Sequence, residues 1–288
     1  MAVKTEPGLQ TCVAIKKHLP AEASAGIFTR GDSMIANYHS HTARCNHASG
    51  AEAAYVQNAI ARGLRIFGFS DHTPQFFPGD YYSRMRMRPH QLEDYCRTVR
   101  ALQAEYRDQL QISLGLEAEF YPGIWHELLP RLQDAGIEYL ILGQHWLGNE
   151  QGEHGSGGAT ADENLLRRYC RQVMEALETE KFTYIAHPDL FHFVGAPAVY
   201  RRHMGELCRA AKQADIPLEI NLLGILEGKH YPNGEFWAIA AEENCKVILG
   251  MDAHAPAHVL DPEPEARALH IVQQFGLELL NTVELRSI

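Results

Sequence analysis

Seven short apolar runs punctuate this chain, and each gives way to a longer stretch with helical periodicity. The runs are Met34–Tyr38, Arg65–Ser70, Gln111–Leu116, Ile137–Leu142, Phe182–Ala186, Pro217–Ile220 and Lys246–Leu249. The helical stretches are Ala51–Arg62, Pro89–Gln109, Trp125–Ala135, Asp162–Thr179, Ala198–Ala214, Gly234–Asn244 and Pro262–Phe275. Two of them stop at a glycine, Gly63 and Gly136, where a helix end favours one. Strand-then-helix alternation implies parallel strands joined by right-handed crossovers. The runs are apolar almost throughout, as strands covered on both faces must be. An open doubly wound sheet and a closed barrel fit that alternation equally.

The residues at the ends of the runs separate the two. In chain order they are His39/His41, His72, Glu117, His145, His187, Asn221 and Asp252/His254. In a parallel barrel every strand opens its C-terminal end onto one face, where active sites sit. An open sheet would spread seven such positions along a line too long for one site. Convergence from all seven favours a (β/α)7 barrel with parallel strands and its site at the C-terminal face.

That set of residue types points to metal. His39 and His41 are two apart on an extended chain, so both rings point the same way, about 6–7 Å apart. His47 follows six residues on, and surface histidines in a polar loop are the plain alternative for any one of them. Seven imidazoles (His39, His41, His47, His72, His145, His187, His254) and two carboxylates (Glu117, Asp252) exceed what one ion needs. They suit two or three divalent ions sharing a bridging carboxylate, with zinc, iron or manganese all compatible with the donors. No phosphate-cradling glycine loop or dinucleotide fingerprint is present, and neither Ser40 nor Ser70 sits in a nucleophile elbow. A metal-activated water is the nucleophile that remains.

Composition sets the outer limits. A chain of 288 residues accommodates one barrel domain. A net charge of -10 argues against a general nucleic-acid or anionic-membrane surface. The six cysteines are scattered with no Cys-X-X-Cys, which reads as reduced thiols in a cytoplasmic protein. No apolar run approaches the ~20 residues of a membrane span. Residues 1–33, with Pro7, Pro20 and three glycines, show no strong periodicity. They read as an N-terminal extension, flexible or foreign to the domain at 34–288, or as an arm packed on it. Nothing in the pattern fixes an oligomeric state.

The motifs His39-Ser-His41, Ser70-Asp-His72, Gly115-Leu-Glu117, Gly143-Gln-His145, Ala186-His187-Pro-Asp, Leu218-Glu-Ile-Asn221 and Gly250-Met-Asp252-Ala-His254 run through nearly the whole domain. Together they resemble the polymerase-and-histidinol-phosphatase (PHP) superfamily, and within it the histidinol-phosphatase branch. The resemblance implies a distorted seven-stranded barrel with a trinuclear centre. Carried over residue by residue, His39, His41, Glu117 and Asp252 would hold one ion. Glu117 would bridge to a second held by His145 and His187, and His47, His72 and His254 would hold the third. Glu119 is the alternative bridging carboxylate. The same resemblance implies a phosphomonoesterase acting on a small phosphorylated substrate, L-histidinol phosphate, with Glu117, Asp252 and His254 catalytic.

Arg84, Arg86 and Arg88, in and just before Met85-Arg-Met-Arg88, could reach a phosphate, with Arg84 and Arg86 preferred, and Asn221 would face the substrate. Asp80, Asp189 and Glu227 are candidate acceptors for an ammonium group. Two departures from that branch stand on the expected substrate side: Gln144, and Leu222-Leu-Gly224 after Asn221. They keep open a phosphoesterase acting on another small ester or a nucleotide, and, in a different class, a non-catalytic metal-binding barrel.

Overall fold

Each apolar run becomes a strand in the computed structural model, which describes residues 34–151 and 154–288. The N-terminal extension at 1–33 lies outside the described residues. The strands are β1 (Ala36–Asn37), β2 (Ile66–Phe69), β3 (Gln111–Ala118), β4 (Tyr139–Leu142), β5 (Phe182–Ile185), β6 (Leu218–Asn221) and β7 (Lys246–Gly250). An eighth, β8 (Glu278–Leu279), has only two residues and was not foreseen. Every pairing is parallel, in chain order from β1 to β8.

The helices are α1 (Glu52–Arg62), α2 (Leu92–Tyr106), α3 (Trp125–Asp134), α4 (Glu163–Leu177), α5 (Pro197–Gln213), α6 (Leu222–Leu226), α7 (Gly234–Glu242), α8 (Pro256–Leu260) and α9 (Glu263–Phe275). The short α6 and α8 add to the seven long helices expected. In α4 the pattern is plain: Leu166, Tyr169, Cys170, Val173 and Leu177 are buried on one face, and Asp162 caps the start by accepting from the Asn164 N–H.

Closure is incomplete, which is the distortion. β8 pairs with the first residues of β7, Lys246 and Val247. Where β1 meets β7, they join through one bridge at the C-terminal end, Ser40 to Ala253, with the His41 N–H donating to the Ala253 carbonyl at 2.9 Å. Two cores follow. The larger fills the space between strands and helices. The smaller lies inside the barrel, made of Ala36, Tyr38, Tyr139, Ile141, Tyr184, Ala186 and Ile248, with Val283 and Leu285 of the C-terminal tail packed against it.

Strand alternation then decides what faces inward higher up. On β3, Leu114, Leu116 and Ala118 join the outer core, so Gly115 and Glu117 face inward. Gly115 has to be glycine, because a Cβ there would come within 2.3 Å of the Tyr139 ring. One layer up, a Cβ on Gly143 would meet Glu117 Oε1 at 1.9 Å, and one on Gly250 would meet Glu219 Oε2 at 2.1 Å. Missing side chains at these positions are the space into which two buried carboxylates fit.

Candidate metal centre

Glu117 stands at the middle of the C-terminal mouth. Its Oε2 lies 3.7 Å from His39 Nε2, 3.6 Å from His41 Nε2 and 2.9 Å from His72 Nδ1. Its Oε1 lies 3.5 Å from His145 Nε2 and 2.8 Å from His187 Nε2. One carboxylate therefore faces five imidazoles from four strand ends. Asp252 forms the second focus: its Oδ1 is 3.0 Å from His41 Nε2, 3.5 Å from His39 Nε2 and 3.3 Å from His254 Nδ1. His254 stacks on His41 with ring centroids 4.1 Å apart, and His47 lies 4.7 Å from His254 and 5.2 Å from His72. His39, His41, Glu117 and His187 are buried, whereas His47, His145 and His254 retain exposure and mark the open side.

The backbone is bent to this arrangement. His187 and Asp252 have φ of 30° and 49°, in the left-handed region that non-glycine residues enter uncommonly, as Glu180, Asp215 and Asn244 also do away from the site. Electrostatics follow from the crowding. Burial alone would raise Glu117 and Asp252, but the surrounding imidazoles overcome it and hold both carboxyls well below their usual range. Burial alone would lower His41, but Asp252 and Asp71 raise it to about 9. His72 and His254 go the other way, with burial the main cause, His254 falling to about 3.

Two carboxylates were missed in the sequence. Glu219 Oε2 sits 2.8 Å from His39 Nδ1, which fixes that ring with Nε2 toward Glu117. Asp71 Oδ1 lies 3.5 Å from His41 Nδ1, and the same carboxylate accepts from the Thr42 and His72 N–H groups. A signal for Glu219 was present: a charged residue inside the apolar run Leu218-Glu-Ile220 must have a buried partner.

Several expected substrate contacts are placed elsewhere. Arg86 is 1% exposed and its guanidinium is consumed by Glu119, Glu150 and the Thr73 carbonyl, so it has no N–H left for a phosphate. Asn221 is fully buried. Its amide donates to Glu219 at 2.7 Å and Asp252 at 3.1 Å, and its Oδ1 caps α6 by accepting from the Gly224 N–H. It orients Asp252 rather than facing a substrate.

Asp189 is buried too, accepting from the Asn233 N–H at 2.6 Å, and Glu227 is paired with Lys229. Gln144 ties Phe120 to Trp146 through their backbones, and Leu222 and Leu223 are buried in α6. Arg84 and Asp80 stay exposed. Glu119 turns from the cluster toward Arg86, touching only His145, at 3.0 Å.

The residues fit divalent ions. His39 Nε2, His41 Nε2, His72 Nδ1, Glu117 Oε2, Asp252 Oδ1 and His254 Nε2 are buried and have no hydrogen-bond partner. Leaving so many such atoms unmatched is costly in a native protein unless something shared satisfies them. Their lone pairs converge at 2.9–3.7 Å without hydrogen-bond alignment. Triads drawn from them, including His39/His41/Asp252, His39/Glu117/His187 and His47/His72/His254, have ligand atoms within 4.8 Å of one another. Imidazole with carboxylate is a transition-metal donor set, so the chain uses divalent metal.

Comparison with known proteins agrees with that geometry. The PHP domain family model matches residues 37–222. A protein of Deinococcus radiodurans named probable histidinol-phosphatase is 31% identical over 234 residues, 78% of this chain and 88% of that one. A Schizosaccharomyces pombe protein of the same name is 32% identical over 256 residues, 78% of this chain and 82% of its own. The Lactococcus lactis histidinol phosphate phosphatase, solved with zinc, L-histidinol and phosphate, superposes with a TM-score of 0.68 at 21% identity, over 87% of this chain and 99% of that one, and shares the fold. A family match across most of the domain, and a relative at this identity over most of both chains, place the protein: the chain belongs to the PHP domain family.

Proposed function

We propose that this chain is a metal-dependent phosphomonoesterase that hydrolyses L-histidinol phosphate to L-histidinol and phosphate. The observation that carries the reading is Glu117, one buried carboxylate facing five imidazoles, in a chain whose relatives at 31% and 32% identity are named probable histidinol-phosphatases. His39, His41, Glu117 and Asp252 would hold one ion, Glu117, His145 and His187 a second, and His47, His72 and His254 a third. The set is two to three ions of zinc, iron or manganese. Bound there, such ions supply an ionised water near neutral pH and positive charge against the phosphate oxygens.

The protein does the rest. Glu219 accepts at His39 Nδ1 and Asp71 faces His41 Nδ1, so both rings turn Nε2 inward. Asn221 holds Asp252 Oδ2 and leaves Oδ1 free. The leaving alkoxide would take its proton from a metal-held water or from the Asp252 and His254 region. Exposed Arg84 is an arginine on that loop still free to meet a phosphate, and exposed Asp80 an acid still free to meet an ammonium group. A cytoplasmic location accords with five unpaired cysteines among the described residues.

The placement of Arg86 and Asp189 favours one rival. Both expected contacts for the two ends of histidinol phosphate are engaged inside the protein. A PHP phosphoesterase acting on another small ester would still bind a phosphate but would need no acceptor for an ammonium group. Steady-state kinetics on metal-replete protein decide. The proposal expects kcat/KM for histidinol phosphate to exceed that for p-nitrophenyl phosphate by ~100-fold or more, about 2.7 kcal/mol of transition-state discrimination. Equal efficiencies would leave the phosphatase chemistry and remove the substrate.

A further inference from the structure

Arg86 is among the largest fully buried side chains described, on the loop between β2 and α2. An arginine has five N–H donors. Here Nε donates to Glu150 Oε1 at 3.1 Å and Nη2 to Glu150 Oε2 at 3.2 Å, one fork. Nη1 and Nη2 donate to Glu119 Oε2 and Oε1, both at 2.8 Å, a second fork. The remaining donor of Nη1 reaches the Thr73 carbonyl at 3.0 Å. The Arg86 carbonyl in turn accepts from Asn46 Nδ2 at 3.1 Å.

Those partners have one thing in common. Asn46 precedes His47, Thr73 follows His72, and Glu119 Oε1 also accepts from His145 Nδ1 at 3.0 Å. Glu150 is on the loop that follows His145 and is further held by Ser83 Oγ at 3.1 Å. The Arg86 side chain thus ties together the loops leaving β2, β3 and β4, and its backbone carbonyl adds the loop leaving β1, each carrying residues of the metal centre. The link to His145 is the most direct. A carboxylate on Nδ1 fixes the tautomer and points Nε2 at Glu117, 3.5 Å away. Glu119 can serve His145 only while its own charge is balanced, and Arg86 is the cation beside it. A lysine would supply the charge but not the two planar forks.

We propose that Arg86 is a positioning residue: it spaces the ligand-bearing loops and, through Glu119, sets His145 for its ion. This rests on the metal centre proposed above, but not on any particular substrate. The test compares metal-replete wild type with Arg86→Lys and Glu119→Gln. Each is dialysed against graded chelator, then read by elemental analysis and by the ligand-field spectrum of the cobalt-loaded protein. Inorganic phosphate is titrated as an inhibitor at saturating metal.

Both variants should hold one ion 10–100-fold more weakly, with an altered cobalt spectrum, the range seen when an outer partner of a metal-bound histidine is lost. Excess metal should restore kcat, and phosphate should inhibit as in wild type. Wild-type retention in Arg86→Lys with weakened phosphate inhibition would make Arg86 a phosphate ligand and overturn the proposal. If Arg86→Lys does not fold, Glu119→Gln decides alone: full retention of every ion overturns it. A wild-type chain that retains no ion defeats the metal-centre reading and this inference together. Weak retention in the variants, with histidinol phosphate no better than other esters, defeats the substrate and leaves Arg86 in place.

Discussion

The two ends of this barrel are built from the same strands and do opposite things. At the N-terminal end the interior is Tyr38, Tyr139, Ile141, Tyr184 and Ile248, with Val283 and Leu285 against it. Its polar atoms are largely matched, as where Tyr139 donates to the Tyr38 carbonyl at 2.8 Å. At the C-terminal end the inward positions are imidazoles and carboxylates whose ligand atoms go unmatched. The change takes two residues on β3, from Gly115 to Glu117, and four past the ends of β4 and β7, from Ile141 through Gly143 to His145 and from Ile248 through Gly250 to Asp252. A buried unmatched polar group costs about 1–3 kcal/mol, so the mouth draws on stability that the lower end and the outer shell provide. The comparison predicts that stability and activity come apart by height in the barrel.

The largest effect should come from Glu117, which faces both halves of the cluster. Glu117→Ala should abolish turnover and cost at least one ion by elemental analysis, and the metal-free protein should also melt lower at neutral pH, since the carboxylate that balances the surrounding imidazoles is gone. Glu119→Ala should be milder, because of the expected metal ligands Glu119 touches only His145. The reverse order would mean that the wrong carboxylate has been placed at the centre.

A pair of glycines sharpens the contrast. Gly143→Ala puts a Cβ into Glu117 Oε1, and Gly115→Ala puts one into the Tyr139 ring. The first should lose ions and most activity with a small change in melting temperature. The second should lose about 1–3 kcal/mol of stability by overpacking, measured by denaturant unfolding. Equal losses of stability would show that the two layers are one mechanical unit.

Much of this was legible in the sequence, for physical reasons. Strand ends in a parallel barrel must converge, so the residues at seven run ends could be brought together without a structure. What could not be read was the identity of partners. Arg86 looks like a phosphate fork until Glu119 and Glu150 are seen against it, and Asn221 looks like a substrate contact until it is seen capping α6. Both are long-range pairings that spacing does not encode. β8 was missed because two residues carry no period.

Protonation offers a subtler test of the mouth. The His41 pKa is raised to about 9 by Asp252 and Asp71 against the opposing burial. Below that pH the metal-free protein holds a proton there which an ion must displace. Metal affinity should therefore rise about tenfold per pH unit up to about 9 from this group alone, with proton uptake by buffer detected calorimetrically. The sign for folding is opposite. A pKa raised above the unfolded value of about 6.5 stabilises the metal-free chain fully below that pH, and the contribution is lost as pH rises through about 9. Metal-free protein should thus melt lower at pH 9 than at pH 6.5. A pH-independent affinity would mean that His41 is already neutral and preset.

The smallest expected effect belongs to the lower end. Tyr139→Phe removes a hydroxyl that donates to the Tyr38 carbonyl and lies 3.3 Å from that of Phe69. The ring stays, so the packing against Gly68 and Gly115 is kept. Loss of a buried hydrogen bond that leaves its acceptor unmatched should cost about 1–3 kcal/mol. Yet Tyr38 directly precedes His39, so the same bond is also the lowest rung under the first ligand. If the barrel's two ends are separable, kcat/KM and metal content should match wild type although the melting temperature falls. A fall in metal content alongside it would show that the position of His39 is carried upward from the tyrosine layer, and that the division between a structural end and a chemical end lies lower than β1 suggests.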